Sequence, residues 1–298
     1  MNLATITVLL ASFVLALPAN AQQRQADFKV DATAGYQYDN NVSISELDEN
    51  TGEADNALLL ELGINGNVAI SDSLSVHAGY RYSQTAYQEF SEFDTALHQL
   101  HAETRYRIAG LDTGLAVRHF AAGLAGDRFL DISQVSPSVA RLIGNKLYLR
   151  GAYTQSNKTY ADHEGRNADN SASDVDAYFL LDGMRHYIAF GYRLEREDAM
   201  NPELDFSGDR LKFSYGRQLQ RLQLKALLAL ESRDYRNVTE SLGTARRDKR
   251  LRAGMEASLP LSEYFRFGLK AQYAESDSNL DSARYDETIY NASLSASF

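Results

Sequence analysis

The chain has 298 residues, a formal net charge of −10, 18 tyrosines, 13 phenylalanines, and no cysteine or tryptophan. The missing cysteine excludes a disulfide framework, a thiolate metal site, a catalytic thiol and a lipidated N-terminal cysteine. Beyond the first residues no apolar run approaches the roughly 20 residues that a membrane-spanning helix requires.

The chain opens with MNLATITVLLASFVLALPANA, an apolar run ending in Ala19-Asn20-Ala21. This reads as a secretory signal peptide over residues 1–21, cleaved after the small residues, with residues 22–298 as the mature protein. From Phe28 onward the dominant signal is a period of two. Phe28, Val30, Ala32, Ala34, Tyr36 and Tyr38 alternate with Lys29, Asp31, Thr33, Gly35 and Gln37. The pattern repeats at Leu58–Ile70 and Leu74–Tyr82, then through Ala96–Ile108, Leu111–Phe120, Phe129–Leu142 and Leu147–Tyr153. It continues in Val175–Leu181, Ile188–Leu194, Leu211–Tyr215, Leu222–Leu230, Leu251–Leu259, Phe265–Tyr273 and Tyr290–Phe298. About 14 such segments, each near the 9–11 residues of a tilted transmembrane strand, predict an all-β fold: a single closed antiparallel transmembrane β-barrel. Pro137 makes one strand weak, because it withholds a ladder hydrogen bond.

The connections alternate in length. Short ones, such as Ser71-Asp72-Ser73, Ala109-Gly110 and Gly144-Asn145, alternate with long ones at 39–55, 87–94, 121–128, 159–173, 197–209, 233–248 and 275–287. Outer-membrane barrels have this layout, with tight periplasmic turns and longer extracellular loops. Tyr36, Tyr38, Tyr80, Tyr82, Tyr153, Tyr192 and Tyr273 fall near the outer ends of the apolar faces, and Phe28, Tyr106, Phe265, Phe267 and Phe298 near the other ends. Two such aromatic girdles are expected at the two membrane interfaces. The expected location is the outer membrane of a Gram-negative bacterium, in contact with its lipid and lipopolysaccharide. The last segment predicts a closing strand with Tyr290, Leu294 and Phe298 on the lipid side, and this C-terminal aromatic pattern resembles the signal read by the barrel assembly machinery.

The other face of each strand is assigned to the lumen. Its basic residues include Arg81, Arg105, Arg107, Arg118, Arg150, Arg193, Arg250, Arg252, Arg266 and Lys270, and they outnumber the acidic ones. One reading is a pore favouring anionic solutes, since rings of Arg and Lys attract anions. The other is mixed charge ladders that pair across strands and hold the wall. A barrel of this size leaves a lumen unless something fills it, and no insertion is long enough for a separate plug domain. No nucleophile–base motif, metal-ligand spacing or phosphate loop appears, so no catalytic residue, metal site or cofactor is assigned, and an enzyme is not expected. Nucleic-acid binding has no support either. His77 and His101 are placed to face one another in the lumen, with Glu103 nearby.

Two stretches carry a family resemblance: Gly35-Tyr36-Gln37-Tyr38-Asp39-Asn40-Asn41-Val42, and Tyr273-Ala274-Glu275-Ser276-Asp277-Ser278-Asn279 followed by Arg284-Tyr285-Asp286. They resemble the barrel portion of surface lipoprotein assembly modifier proteins. The resemblance implies a 14-stranded barrel that passes lipoproteins to the cell surface. Those proteins carry a periplasmic tetratricopeptide-repeat domain before the barrel, whereas this chain enters its first strand soon after the expected cleavage point and shows no such repeat. A periplasmic helical-repeat partner is therefore the implied supplier of that function. The alternatives are a passive porin-like channel for anionic solutes such as acidic oligosaccharides, or a plugged barrel that displays surface loops.

Overall fold

The computed structural model describes residues 26–298, so the expected signal peptide lies outside the described residues. The strands, in chain order, are β1 (Ala26–Asp39), β2 (Ser43–Ile44), β3 (Glu49–Asn50), β4 (Asp55–Ala69), β5 (Leu74–Tyr87), β6 (Thr95–Ile108), β7 (Leu111–Leu124) and β8 (Asp127–Ile143). They continue with β9 (Leu147–Tyr160), β10 (Ala168–Leu180), β11 (His186–Ala199), β12 (Phe206–Leu219), β13 (Leu222–Thr239), β14 (Thr244–Pro260), β15 (Phe265–Ser278) and β16 (Tyr285–Ser297). All but β2 and β3 form one closed antiparallel barrel of 14 strands, each paired with its sequence neighbours. Closure removes every sheet edge, which a bilayer demands because it offers no water to unpaired backbone groups.

The ring closes where β1 meets β16. Asp31 pairs with Ser297 and the ladder runs to Asp39 opposite Ile289. Val30 and Phe298 exchange two backbone hydrogen bonds of 2.9 Å. Partners across an antiparallel ladder point the same way, so Tyr290 beside Tyr38 and Leu294 beside Ala34 continue one apolar outer face. Phe298 stacks on Tyr264 at 5.6 Å between ring centroids at the periplasmic rim. On the other side of this seam the Thr33 hydroxyl donates to Ser295 across 2.9 Å. The large exposed side chains, including Phe28, Tyr36, Leu58, Leu62, Phe190, Leu230, Leu269 and Phe298, belong to the outer face and form the belt that lipid covers.

The periplasmic turns follow from backbone chemistry. Ala109 (φ 50°) and Gly110 (φ 77°) form a two-residue hairpin between Ile108 and Leu111. Positive φ at both central residues is what a type I′ turn needs to match strand twist. The same geometry at Ala125 and Gly126 makes the expected long loop at 121–128 a tight hairpin. The sequence reading also placed strand ends too low at 159–173, 197–209 and 233–248. There the ladder continues until Tyr160, Ala199 and Thr239, and the remaining loops are short. Above the bilayer both faces of the wall meet water. The outward residues Asp169, Arg196, Asp198, Asp234 and Arg247 are therefore polar, and the alternation that marks a strand disappears although its hydrogen bonds do not. Pro137 lies within β8 opposite Leu115 of β7, while the ladder to β9 skips residues 136 and 137. The gap is bridged by the Ser136 and Thr154 hydroxyls, 2.9 Å apart.

Lipid-facing and lumen-facing positions should respond oppositely to charge. Leu62→Arg near the middle of β4 is expected to destabilise the barrel by about 2–4 kcal/mol, while Glu61→Arg next to it costs far less. Urea unfolding in liposomes, followed by tyrosine fluorescence, measures the difference, and equal costs would refute the assigned faces.

Candidate functional site: a loop strapped across the lumen

The first extracellular connection does not project from the barrel. It folds inward, and its course is fixed at both ends. At its start Asp39 is buried, accepts from the Tyr87 hydroxyl at 3.0 Å and caps the Asn41 backbone N–H at 3.1 Å. The Asn40 side chain accepts from the Thr288 N–H at 2.5 Å. Asn41 donates to the Asp286 carbonyl at 2.8 Å and accepts from the Gly52 N–H at 2.8 Å. Two adjacent asparagines thus tie the loop to β16 and to its own return path. Val42 is completely buried, and the Ser43 hydroxyl donates to Glu287 at 2.9 Å. The strands β2 and β3 form a miniature hairpin whose turn reaches the left-handed region at Asp48 (φ 58°), which Asp tolerates better than most residues.

That turn reaches the far wall. Arg166, in the connection between β9 and β10, donates to the carbonyls of Glu46 (2.7 Å) and Leu47 (3.2 Å) and to the Asp48 carboxylate (3.0 Å). The β9–β10 connection is six strands away from the loop's base one way around the ring and eight the other. A segment rooted between β1 and β4 that touches this point spans the mouth of the barrel. On the way it meets Arg246 of β14, which donates to both Asp48 oxygens at 3.0 and 2.7 Å and to both Asp248 oxygens at 2.9 Å. Arg246 is 2% exposed and Asp248 1% exposed. The Arg246 guanidinium also lies over the Tyr235 ring, 4.7 Å from its centroid. Ser278 completes the group with a 2.7 Å bond to Asp248. Burial alone would push the Asp48 carboxyl up, but the hydrogen bonds and charges of Arg246 and Arg166 prevail and hold it below the ordinary 3.8.

The strap divides the mouth. On one side a cavity of about 530 Å³ is bounded by Ser43–Glu46, Thr85, Tyr87 and Gln272. On the other side a smaller one, of about 200 Å³, lies between the loop and the wall from β9 to β14. A third space of about 520 Å³ opens at the periplasmic end, lined by Glu103, Arg105, Arg107, Tyr148 and Arg150.

The ladder register places Arg81, Arg105, Arg107, Arg118, Arg150, Arg193, Arg250, Arg252, Arg266 and Lys270 on the inner face. Many are paired there. Arg105 grips Glu103 (2.9 Å), Arg107 meets Asp112 (2.7 Å), Arg150 meets Asp176 (3.4 Å), and Arg193 sits between Asp174 (3.2 Å) and Glu195 (3.3 Å). Arg81 and Arg118 flank the histidine pair, whose ring nitrogens approach to 3.3 Å. Glu103 is committed to Arg105 rather than to either imidazole. Arg266 and Lys270 lie on β15, away from both clusters. The sequence reading missed the latch, because Asp48, Arg166, Arg233, Arg246 and Asp248 fell in stretches assigned to loops. A signal was present: Glu231, Arg233 and Tyr235, and Arg246, Asp248, Arg250 and Arg252, continue the two-residue spacing of their strands.

Removing one partner from a buried ion pair leaves the other uncompensated, at about 3–5 kcal/mol. Asp48→Ala should therefore undock the strap while the 14-strand ladder stays intact. The expected result is new protease cleavage within residues 40–54 of the outward-facing side, with unchanged heat-modifiable migration of the barrel. Acid should do the same reversibly. A carboxyl held low contributes fully above 3.8 and loses its effect as pH falls through its lowered value. The difference in strap protection between the wild type and Asp48→Ala should thus be flat between about pH 5 and 7 and shrink only below the ordinary aspartate range.

The surface lipoprotein assembly modifier family matches residues 28–298. Among curated proteins none matches the sequence. Solved structures with a similar fold include the in-vitro folded OmpT, an outer membrane protein of Vibrio cholerae. It is 8% identical at a TM-score of 0.56, with 95% of this chain and 100% of that one covered. The anion-selective porin from Comamonas acidovorans is also 8% identical, at a TM-score of 0.53, with 93% and 100% covered. Identities this low speak for the fold alone. With a closed 14-strand barrel, an apolar outer belt and a family match across the whole ring, the chain is an outer-membrane β-barrel of the surface lipoprotein assembly modifier family.

Proposed function

We propose that this barrel is a gated conduit, closed at rest by the strap at residues 40–54 and opened when that strap leaves the Arg246–Asp248 wall. The observation that supports this reading is the latch itself. A loop needed only for display has no reason to bury Asp48 between two arginines from separate elements of the far wall. The family's name, surface lipoprotein assembly modifier, suggests the substrate class: a lipoprotein chain on its way to the surface. The inner face suits a polypeptide, because paired charges and hydroxyls offer hydrogen bonds without a strong net field. A periplasmic helical-repeat protein is the partner that would present such a substrate. Outer-membrane lipid and lipopolysaccharide surround the belt, and the barrel assembly machinery would read Tyr290, Leu294 and Phe298.

A passive route for small anions is the second reading. It is favoured by Arg81, Arg118 and Arg252, which face the lumen without an ion-pair partner among the described residues.

Single-channel conductance of residues 22–298 in a planar bilayer separates the two. The gated conduit gives low, intermittent current in the wild type, and a steady large pore when residues 42–51 are replaced by a short Gly-Ser linker. A wild-type barrel that is already steadily open, and whose anion preference falls with Arg81→Glu, would favour the passive channel.

A further inference from the structure

The smaller cavity beside the strap has a composition the conduit does not explain. Its walls bring arginines from four elements together: Arg166, Arg210 of β12, Arg233 of β13, and Arg250 with Arg252 of β14. Carboxylates within reach are too few. Glu231 serves both Arg210 (2.6 Å) and Arg233 (2.7 Å), and Glu195 meets Arg233 only at 4.0 Å. Arg250 is 7% exposed at its side chain and lies 3.7 Å from Asp248, whose oxygens already serve Arg246. The Nε group of Arg250 is buried without a hydrogen-bond acceptor, a condition that costs about 1–3 kcal/mol, and more where charge is involved. Arg252 has no ion-pair partner among the described residues.

The three carboxylates that line the same cavity are engaged elsewhere or turned aside. Asp48 is held by Arg246 and Arg166. Glu197 accepts from Lys158 (2.5 Å) and Asn170 (3.0 Å). Glu46 accepts from its neighbour Ser45. The Tyr160, Phe206 and Tyr235 rings line the sides of the cavity, and their low polarity strengthens charge attraction beside them.

We propose that this cavity binds a tetrahedral oxyanion, phosphate or sulfate, between Arg250, Arg252 and Arg210. Guanidinium forks converging from β12 and β14, on either side of β13, suit several oxygens at once, which a single carboxylate cannot supply. The volume, about 200 Å³, admits such an ion with a few waters. Because the cavity faces the lumen, the ion arrives from solution and not from a lipid headgroup. The site shares Arg166 with the strap, so an occupied cavity shields that arginine from Asp48, and ion binding and strap position are linked. The site does not depend on what the barrel conducts, since a barrel that passes only small solutes with its strap docked would enclose the same cluster.

The test is isothermal titration of the barrel, purified from outer membranes in detergent, with sodium phosphate and then sodium sulfate at constant ionic strength against chloride. Saturable one-to-one binding is expected, weakened about tenfold or more in Arg252→Gln. Arg250→Gln should act likewise, with heat-modifiable migration checking its folding, and Arg252→Gln carries the test if that variant fails to fold. Lys270→Gln, on the inner face away from the cavity, should bind as the wild type does. Binding of lipopolysaccharide but of neither free ion would overturn the proposal, as would absent saturation or an unchanged affinity in Arg252→Gln.

Discussion

The structure turns on one buried ion chain: Asp48 on the strap, Arg246 on the wall, and Asp248 beside it. A guanidinium taken out of water is costly unless its donors are all met. Here two carboxylates supply four oxygens, and an aromatic ring covers the remaining face. Asp248 alone would give Arg246 half of its acceptors. The other half comes only when the hairpin of β2 and β3 lies across the lumen. The wall is therefore completed by the loop, and the loop is placed by the wall.

Most of the barrel was legible as a sequence because the bilayer imposes a simple rule. Where one face meets lipid and the other water, apolar and polar residues must alternate, as at Phe28–Tyr38 and Tyr290–Phe298. The rule lapses above the membrane. Arg246, Arg247, Asp248 and Lys249 look like a charged loop, yet they form regular strand, because outward Arg247 meets solvent while inward Arg246 meets Asp48. The inward course of the first loop was not legible from periodicity. It depends on Asn40 and Asn41 reaching the backbone of residues 286 and 288, a contact between chain ends that no local pattern announces. Even so, the two stretches that carried the family resemblance are the ones that make these contacts. Asp39, Asn40 and Asn41 orient the strap. Ser278 braces Asp248, and Asn279 accepts from the Arg247 N–H at 2.8 Å.

The lumen charges also depend on height. Counted along the membrane-spanning segments, bases exceed acids and an anion-attracting tube is the natural reading. The upper wall adds Asp39, Asp55, Glu197, Asp248 and Glu287 to the same inner face together with Lys158, Arg233 and Arg246, and much of this charge cancels in pairs such as Lys158 with Glu197 and Arg246 with Asp248. What remains positive is local rather than general: Arg81 with Arg118 around the histidines, and the arginine cluster beside the strap. Local charge of this kind holds particular groups in particular places, whereas a uniform field would merely bias diffusion.

The seam between β1 and β16 has a consequence for the order of events in biogenesis. The strap follows β1 directly and is synthesised early, but its tethers at Asp286, Glu287 and Thr288 belong to the last strand, some 245 residues later. Those tethers come beside Asn40 and Asn41 only once Val30 has met Phe298. Until the ring is joined the hairpin has no floor to rest on, and the interior stays unobstructed while the remaining strands are added. Closing the cylinder and barring its mouth are thus one event, set by where in the chain the two ends of the same hydrogen bonds were written.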